Sequence, residues 1–98
     1  MPQKVYISGP ISGLDKDYVE KRFSDAKNAL IVAGMTPVSP LENGLPETAS
    51  YDQHMARDIE MLSECQAIYM LDGWRKSNGW RLEMAHAIAR KKTIIFEE

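Results

Sequence analysis

Apolar residues along this chain fall into short extended runs separated by longer stretches in which they recur every three or four positions. Val5, Tyr6 and Ile7 make the first run, which halts at Ser8-Gly9-Pro10. Val19, Phe23, Ala26, Leu30 and Ala33 predict one face of a helix over 17–33, with Asp17 and Glu20 spaced as a capping box and Gly34 as the stop. Positions 35–39 predict a brief second strand closed by Pro40. Residues 40–49 then hold Asn, Gly and Pro without periodicity and read as the longest loop. Ser50 and Gln53 repeat the capping-box spacing, and Met55, Ile59 and Leu62 carry a second helix to about Glu64. The unbroken apolar run 67–71 is the pattern of a strand buried on both faces of a parallel sheet. Leu82, Ala85, His86 and Ala89 predict the core face of a third helix, and 93–96 a last strand.

The order is βαβαβαβ, which implies an α/β fold with right-handed crossovers. The expected architecture is a three-layer α/β/α arrangement around a short parallel sheet of four strands in the order 2-1-3-4, flavodoxin- or Rossmann-like. Ligands in such sheets bind at the carboxyl ends of the strands where the order reverses. That reversal lies between strands one and three, so loops 8–13 and 72–78 are the places to look for chemistry.

Composition narrows the partners. With 98 residues, 44% of them apolar and 27% charged, the chain is expected to form one domain over 1–98. A chain this short buries only roughly 60–70% of the surface it exposes when unfolded. Its single cysteine cannot form an internal disulfide, so a homodimer or higher homo-oligomer is expected. No apolar run approaches the ~20 residues of a membrane span, and Met1-Pro2-Gln3-Lys4 leads straight into a strand without a signal-peptide pattern. A cytoplasmic protein with no membrane partner is the expectation. A net charge of −2 with dispersed Lys and Arg argues against polymeric nucleic acid. Cys65, His54 and His86 lie far apart in sequence and give no metal-ligand spacing. The first loop is neither G-x-G-x-x-G nor a P-loop, so dinucleotide and ATP sites are disfavoured and no cofactor is expected.

The two loops nevertheless carry ligand chemistry. Ser8, Gly9, Pro10 and Ile11 in the first combine a hydroxyl with a glycine that admits close backbone approach. Asp72, Gly73, Trp74, Ser77, Asn78 and Gly79 in the second lead into the amino terminus of helix three, whose free N–H groups and dipole suit an anion. Arg75 and Lys76 lie beside them. Trp74 reads equally as a stacking platform for a base and as packing. Glu83, about one turn into helix three, and Asp58 on helix two are ordinary surface carboxylates by periodicity alone. Glycosidic-bond chemistry, however, needs two carboxylates, and either Asp58 or Asp72 could pair with Glu83.

These residues resemble a known family. Lys-Val-Tyr-Ile-Ser-Gly-Pro-Ile-Ser-Gly at 4–13, Met-Ala-Arg-Asp at 55–58 and the stretch 71–85, with Ser-x-Gly-x-x-x-Glu at Ser77, Gly79 and Glu83, look like the small phage and bacterial proteins grouped with nucleoside 2-deoxyribosyltransferases. That family also includes 2'-deoxynucleoside 5'-phosphate N-hydrolases. The resemblance implies that Glu83 is a nucleophile capturing C1' of deoxyribose, that Asp58 assists the leaving base as acid or base, and that Tyr6 orients the nucleophile. It gives Ser8, Gly9, Ser77 and Gly79 the sugar or its 5'-phosphate. Arg81 and Met84-Ala85 depart from the glycine and Leu-Gly common around the family's nucleophile. The expected function is cleavage or transfer at the N-glycosidic bond of a 2'-deoxynucleoside or its 5'-monophosphate. The alternative is a non-catalytic module of the same fold that senses or sequesters a nucleotide.

Overall fold

Residues 3–98 are described by a computed structural model. The first apolar run forms β1 (Lys4–Ser8), followed by α1 (Lys16–Val32), β2 (Thr36–Val38), α2 (Tyr51–Ser63), β3 (Ala67–Met70), α3 (Trp80–Ala89) and β4 (Thr93–Phe96). Short 3-10 turns occupy Pro40–Glu42 and Trp74–Lys76. All strand pairs are parallel, as the alternation of elements predicts, and the order is β2-β1-β3-β4, the one expected of the doubly wound arrangement.

Period-two alternation sorts the strand residues between two cores. Val5 and Ile7 of β1, with Ala67 and Leu71, face α1 and its buried Val19, Phe23, Ala26 and Leu30. Tyr6, with Ile68 and Met70 of β3, faces the other way, onto Met61 and Leu62 of α2 and Ala87 of α3. One helix therefore covers one face of the sheet and two cover the other. Each fully buried aliphatic or aromatic side chain in these cores contributes about 1.5–3 kcal/mol relative to its exposed state.

Helix ends follow local chemistry, with one correction to the sequence reading. The side chain of Asp15, not Asp17, caps α1 by accepting from Tyr18 N at 3.0 Å. Periodicity marks a helical face but not the residue that leaves helical geometry, and Asp15 has φ −56° and ψ 130°. The Ser50–Gln53 capping box of α2 is present in both directions. At the end of α1, Gly34 has φ 83°, with Gly34 N donating to Ile31 O and Met35 N to Leu30 O, both at 2.9 Å. That pair of bonds is a Schellman motif, which needs the left-handed backbone that glycine adopts at little cost.

The core face expected on α3 is also corrected. Leu82 is 57% exposed, Ala85 and Ala89 are exposed and His86 is half-buried, while Glu83 and Ala87 point inward. Hydrophobicity assigns a glutamate to water, and here it is the residue that the fold encloses. Cys65, at the end of α2, is buried; its Sγ donates to Met61 O at 3.3 Å, and burial pushes the thiol up to about 11. Among the described residues no helix is long and apolar enough to cross a membrane.

Candidate active site

β1 carries Tyr6 and Ser8 two positions apart, so both side chains leave the same face of the sheet. α3 begins at Trp80, with Gly79 as its N-cap beyond the end of β3, and brings Glu83 over that face. The outcome is a carboxylate held from two sides. Glu83 Oε2 accepts from Tyr6 Oη at 2.6 Å, and Oε1 accepts from Ser8 Oγ at 2.7 Å. Glu83 is only 5% exposed, and burial raises its carboxyl to about 7. The bonds from Tyr6 and Ser8 oppose that rise and the nearby Asp58 adds to it. The carboxyl therefore titrates at neutral pH, whereas an unperturbed glutamate near ~4.3 would already be ionised there. Tyr6 is raised well above its usual range, by burial first and then by Glu83 and Asp58, so its hydroxyl remains a donor.

Asp58 reaches the same region from α2. Its Oδ1 accepts from Asn43 Nδ2 at 3.0 Å, and the same Nδ2 lies 3.0 Å from His54 Nδ1. Burial raises the Asp58 carboxyl, opposed by the Asn43 bond and by His54 and Arg57 nearby. Asn43 is itself buried, and Leu45 N donates to its Oδ1 at 3.0 Å.

These groups line a cleft of about 600 Å³ at the carboxyl ends of β1 and β3. Of the residues singled out in the sequence, the cleft gathers Tyr6, Ser8, Gly9, Ile11, Asp58, Ser77, Asn78, Gly79 and Glu83. Gly9 is required by close approach, since a Cβ there would sit 2.7 Å from Leu71 Cδ1 and 3.1 Å from its Cβ. Tyr51 Oη donates to Asn78 O at 3.1 Å and ties the start of α2 to the 77–79 loop.

Other sequence candidates lie elsewhere. Pro10, Asp72 and Gly73 border a separate hollow of about 400 Å³, which shares only Ser12 and Leu14 with the cleft. Asp72 is thus not the carboxylate grouped with Glu83; its backbone N donates to Glu97 Oε1 at 2.8 Å. Trp74 borders neither space. It packs edge-on against Trp80 at 4.9 Å and against Phe96 at 5.9 Å, with Arg75 over its ring at 4.5 Å, so packing replaces the stacking-platform reading. Lys76 lies at the smaller hollow, and the cation bordering the cleft is Lys16, paired with Glu47 at 3.1 Å. The sequence reading missed Asn43, Tyr51, His54 and Met55 as cleft residues. His54 stands one helical turn before Asp58, a spacing that could have placed it beside the aspartate. Asn43 lies in the aperiodic loop and gave no signal.

Residues 3–96 match the protein family described as "Domain of unknown function (DUF4406)". The chain belongs to that family. None of the curated proteins matches this DUF4406 chain significantly. Among solved structures it is similar to a 2-desoxiribosyltransferase from Leishmania mexicana, with TM-score 0.73 and 20% identity over 97% of this chain and 63% of that one. It is also similar to a CMP N-glycosidase from Clostridium botulinum, with TM-score 0.66 and 23% identity over 96% of this chain and 70% of that one. The DUF4406 chain thus shares their fold and spans less than two thirds of the length of the first.

Proposed function

We propose that this chain cleaves, or transfers across, the N-glycosidic bond of a 2'-deoxynucleoside or its 5'-monophosphate. The observation that carries the reading is the buried Glu83 carboxylate at the cleft, each oxygen fixed by one short hydrogen bond from β1. A carboxylate so held has lost its rotamer freedom before a substrate arrives, which is the preorganisation that nucleophilic attack requires. The names of the two similar structures, a deoxyribosyltransferase and an N-glycosidase, support the same bond.

The steps balance as follows. An ionised Glu83 oxygen bonds to C1' as the C1'–N bond breaks, and the electron pair leaves with the base, which takes a proton from Asp58. Tyr6 and Ser8 hold the carboxylate towards C1' throughout. Asp58, now a carboxylate, then takes a proton from water, or from an acceptor base, as that group attacks C1'. Glu83 is released with its electron pair. A 2-deoxy sugar lacks the electron-withdrawing 2'-hydroxyl and reaches the oxocarbenium-like transition state more readily. Ser77, Asn78 and Gly79, at the entry to α3, are the groups we assign to the sugar or its phosphate.

The test is chromatographic release of free base from a panel of deoxynucleosides and their 5'-monophosphates, with wild type and Glu83→Gln. Release by wild type, lost in the variant, is the expected result. Binding without release from any member of the panel would overturn the enzymatic reading in favour of a nucleotide-binding module.

A further inference from the structure

The loop that joins β2 to α2 has no periodic pattern, yet it sends one fully engaged amide into the site. Leu45 N–H occupies Asn43 Oδ1, which fixes the orientation of the side-chain amide. Its Nδ2 then faces Asp58 Oδ1 and His54 Nδ1, each at 3.0 Å, and has two hydrogens to give. Arg57 Nε donates to Asn43 O at 3.2 Å and anchors the residue's backbone as well.

Two proton positions follow from this one orientation. An Asp58 oxygen that accepts an N–H is the poorer place for an acidic proton, so the proton of the neutral acid belongs on Oδ2. A His54 Nδ1 that accepts an N–H cannot itself bear hydrogen, so the neutral ring carries its proton on Nε2. We propose that Asn43 is a positioning residue for the acid step, placing the transferable proton of Asp58 on Oδ2 and fixing His54 as the Nε2–H tautomer beside it. The proposal rests on the reading of Asp58 as the acid given above. The titratable or charged groups around Asp58 are His54 and Arg57 on α2, Glu83 on α3 and Tyr6 on β1.

Two measurements on the full chain test it. Long-range ¹H–¹⁵N correlation at pH 8 should show wild-type His54 with hydrogen on Nε2 alone, and Asn43→Ala should shift it to the mixture of the two tautomers that a free neutral imidazole shows. With natural deoxynucleosides, Asn43→Ala should lower kcat roughly 10- to 100-fold with little change in KM. On a 2-deoxyriboside whose nitrophenolate leaves without a proton, the loss should be much smaller. Asn43→Ser, which keeps one donor, should recover part of the rate and serves as the variant if alanine does not fold. An Nδ1–H tautomer in wild type, or equal losses on the two substrate types, would overturn the proposal. If wild type releases no base from any substrate, the proposed function fails, while the tautomer measurement still decides whether the Asn43 bridge exists.

Discussion

Tyr6 Oη lies 2.6 Å from Glu83 Oε2, joining the first strand of the chain to its last helix across 77 residues of sequence. Both groups are buried, so the bond acts where water does not compete for either partner.

The pH dependence of turnover should carry the signature of Glu83. Attack needs the carboxylate, and its proton is lost at about 7 in the free protein. We therefore expect a bell-shaped kcat/KM profile, with an acid limb of apparent pKa near 7 as Glu83 ionises and a fall at higher pH as Asp58 gives up the proton it must donate. Glu83→Gln should lower activity on the order of 10³-fold or more at every pH. A limb that rises near 4 instead would show that the buried carboxyl is not the group being read.

Tyr6→Phe keeps the ring volume and removes one donor. Because the Tyr6 bond lowers the Glu83 pKa, its loss should move the rising limb to higher pH, together with a rate loss of roughly 10- to 100-fold. An unmoved limb would show that Tyr6 does not hold the ionised form.

Stability should run against activity at this residue. The unfolded chain releases the Glu83 proton near 4.5 and the folded one near 7. A carboxyl raised on folding gives a stabilising contribution that is complete below the lower value and lost as pH climbs through the upper one. Glu83→Gln, an isostere of the protonated form, should match wild type at pH 4. At pH 8 it should exceed wild type by on the order of 3 kcal/mol. Urea midpoints at the two pH values are the check, and a difference independent of pH would refute the linkage.

Gly9→Ala tests the steric fit at the end of β1. The added Cβ meets Leu71 Cδ1 and Cβ at 2.7 and 3.1 Å, so we expect a loss of about 1–3 kcal/mol from overpacking. In a Leu71→Ala background, which removes Cδ1 but keeps the Cβ contact, the same change should cost less, and the double-mutant cycle measures the difference.

Much of this was legible in the sequence because the apolar runs are cleanly punctuated. The parallel sheet followed from the alternation of elements and its order from the doubly wound arrangement that alternation suits, and the capping box at Ser50 and Gln53 located the start of α2 to the residue. The face of α3 was not legible by hydrophobicity, since its inward residue is Glu83, which is stabilised by Tyr6 and Ser8 rather than by apolar contact. Alternation on β1 did hold the clue, for it sets those two hydroxyls on one side. The motif stretch 71–85 mixed residues with different destinations: Ser77, Asn78 and Gly79 reach the cleft, while Trp74 turns back onto Trp80 and Phe96. Asn43 was invisible because tertiary contact alone selects a side chain in an aperiodic loop.

The chain's single sulfhydryl, Cys65, lies sealed between α2 and the sheet with its proton held firmly. Thiol reagents attack the ionised form, so labelling of the native protein must wait for that corner to open. The wild-type protein thus carries its own clock for breathing motions, read by the rate of thiol modification. A cysteine introduced on the surface would react first and accept a probe without removal of the native one.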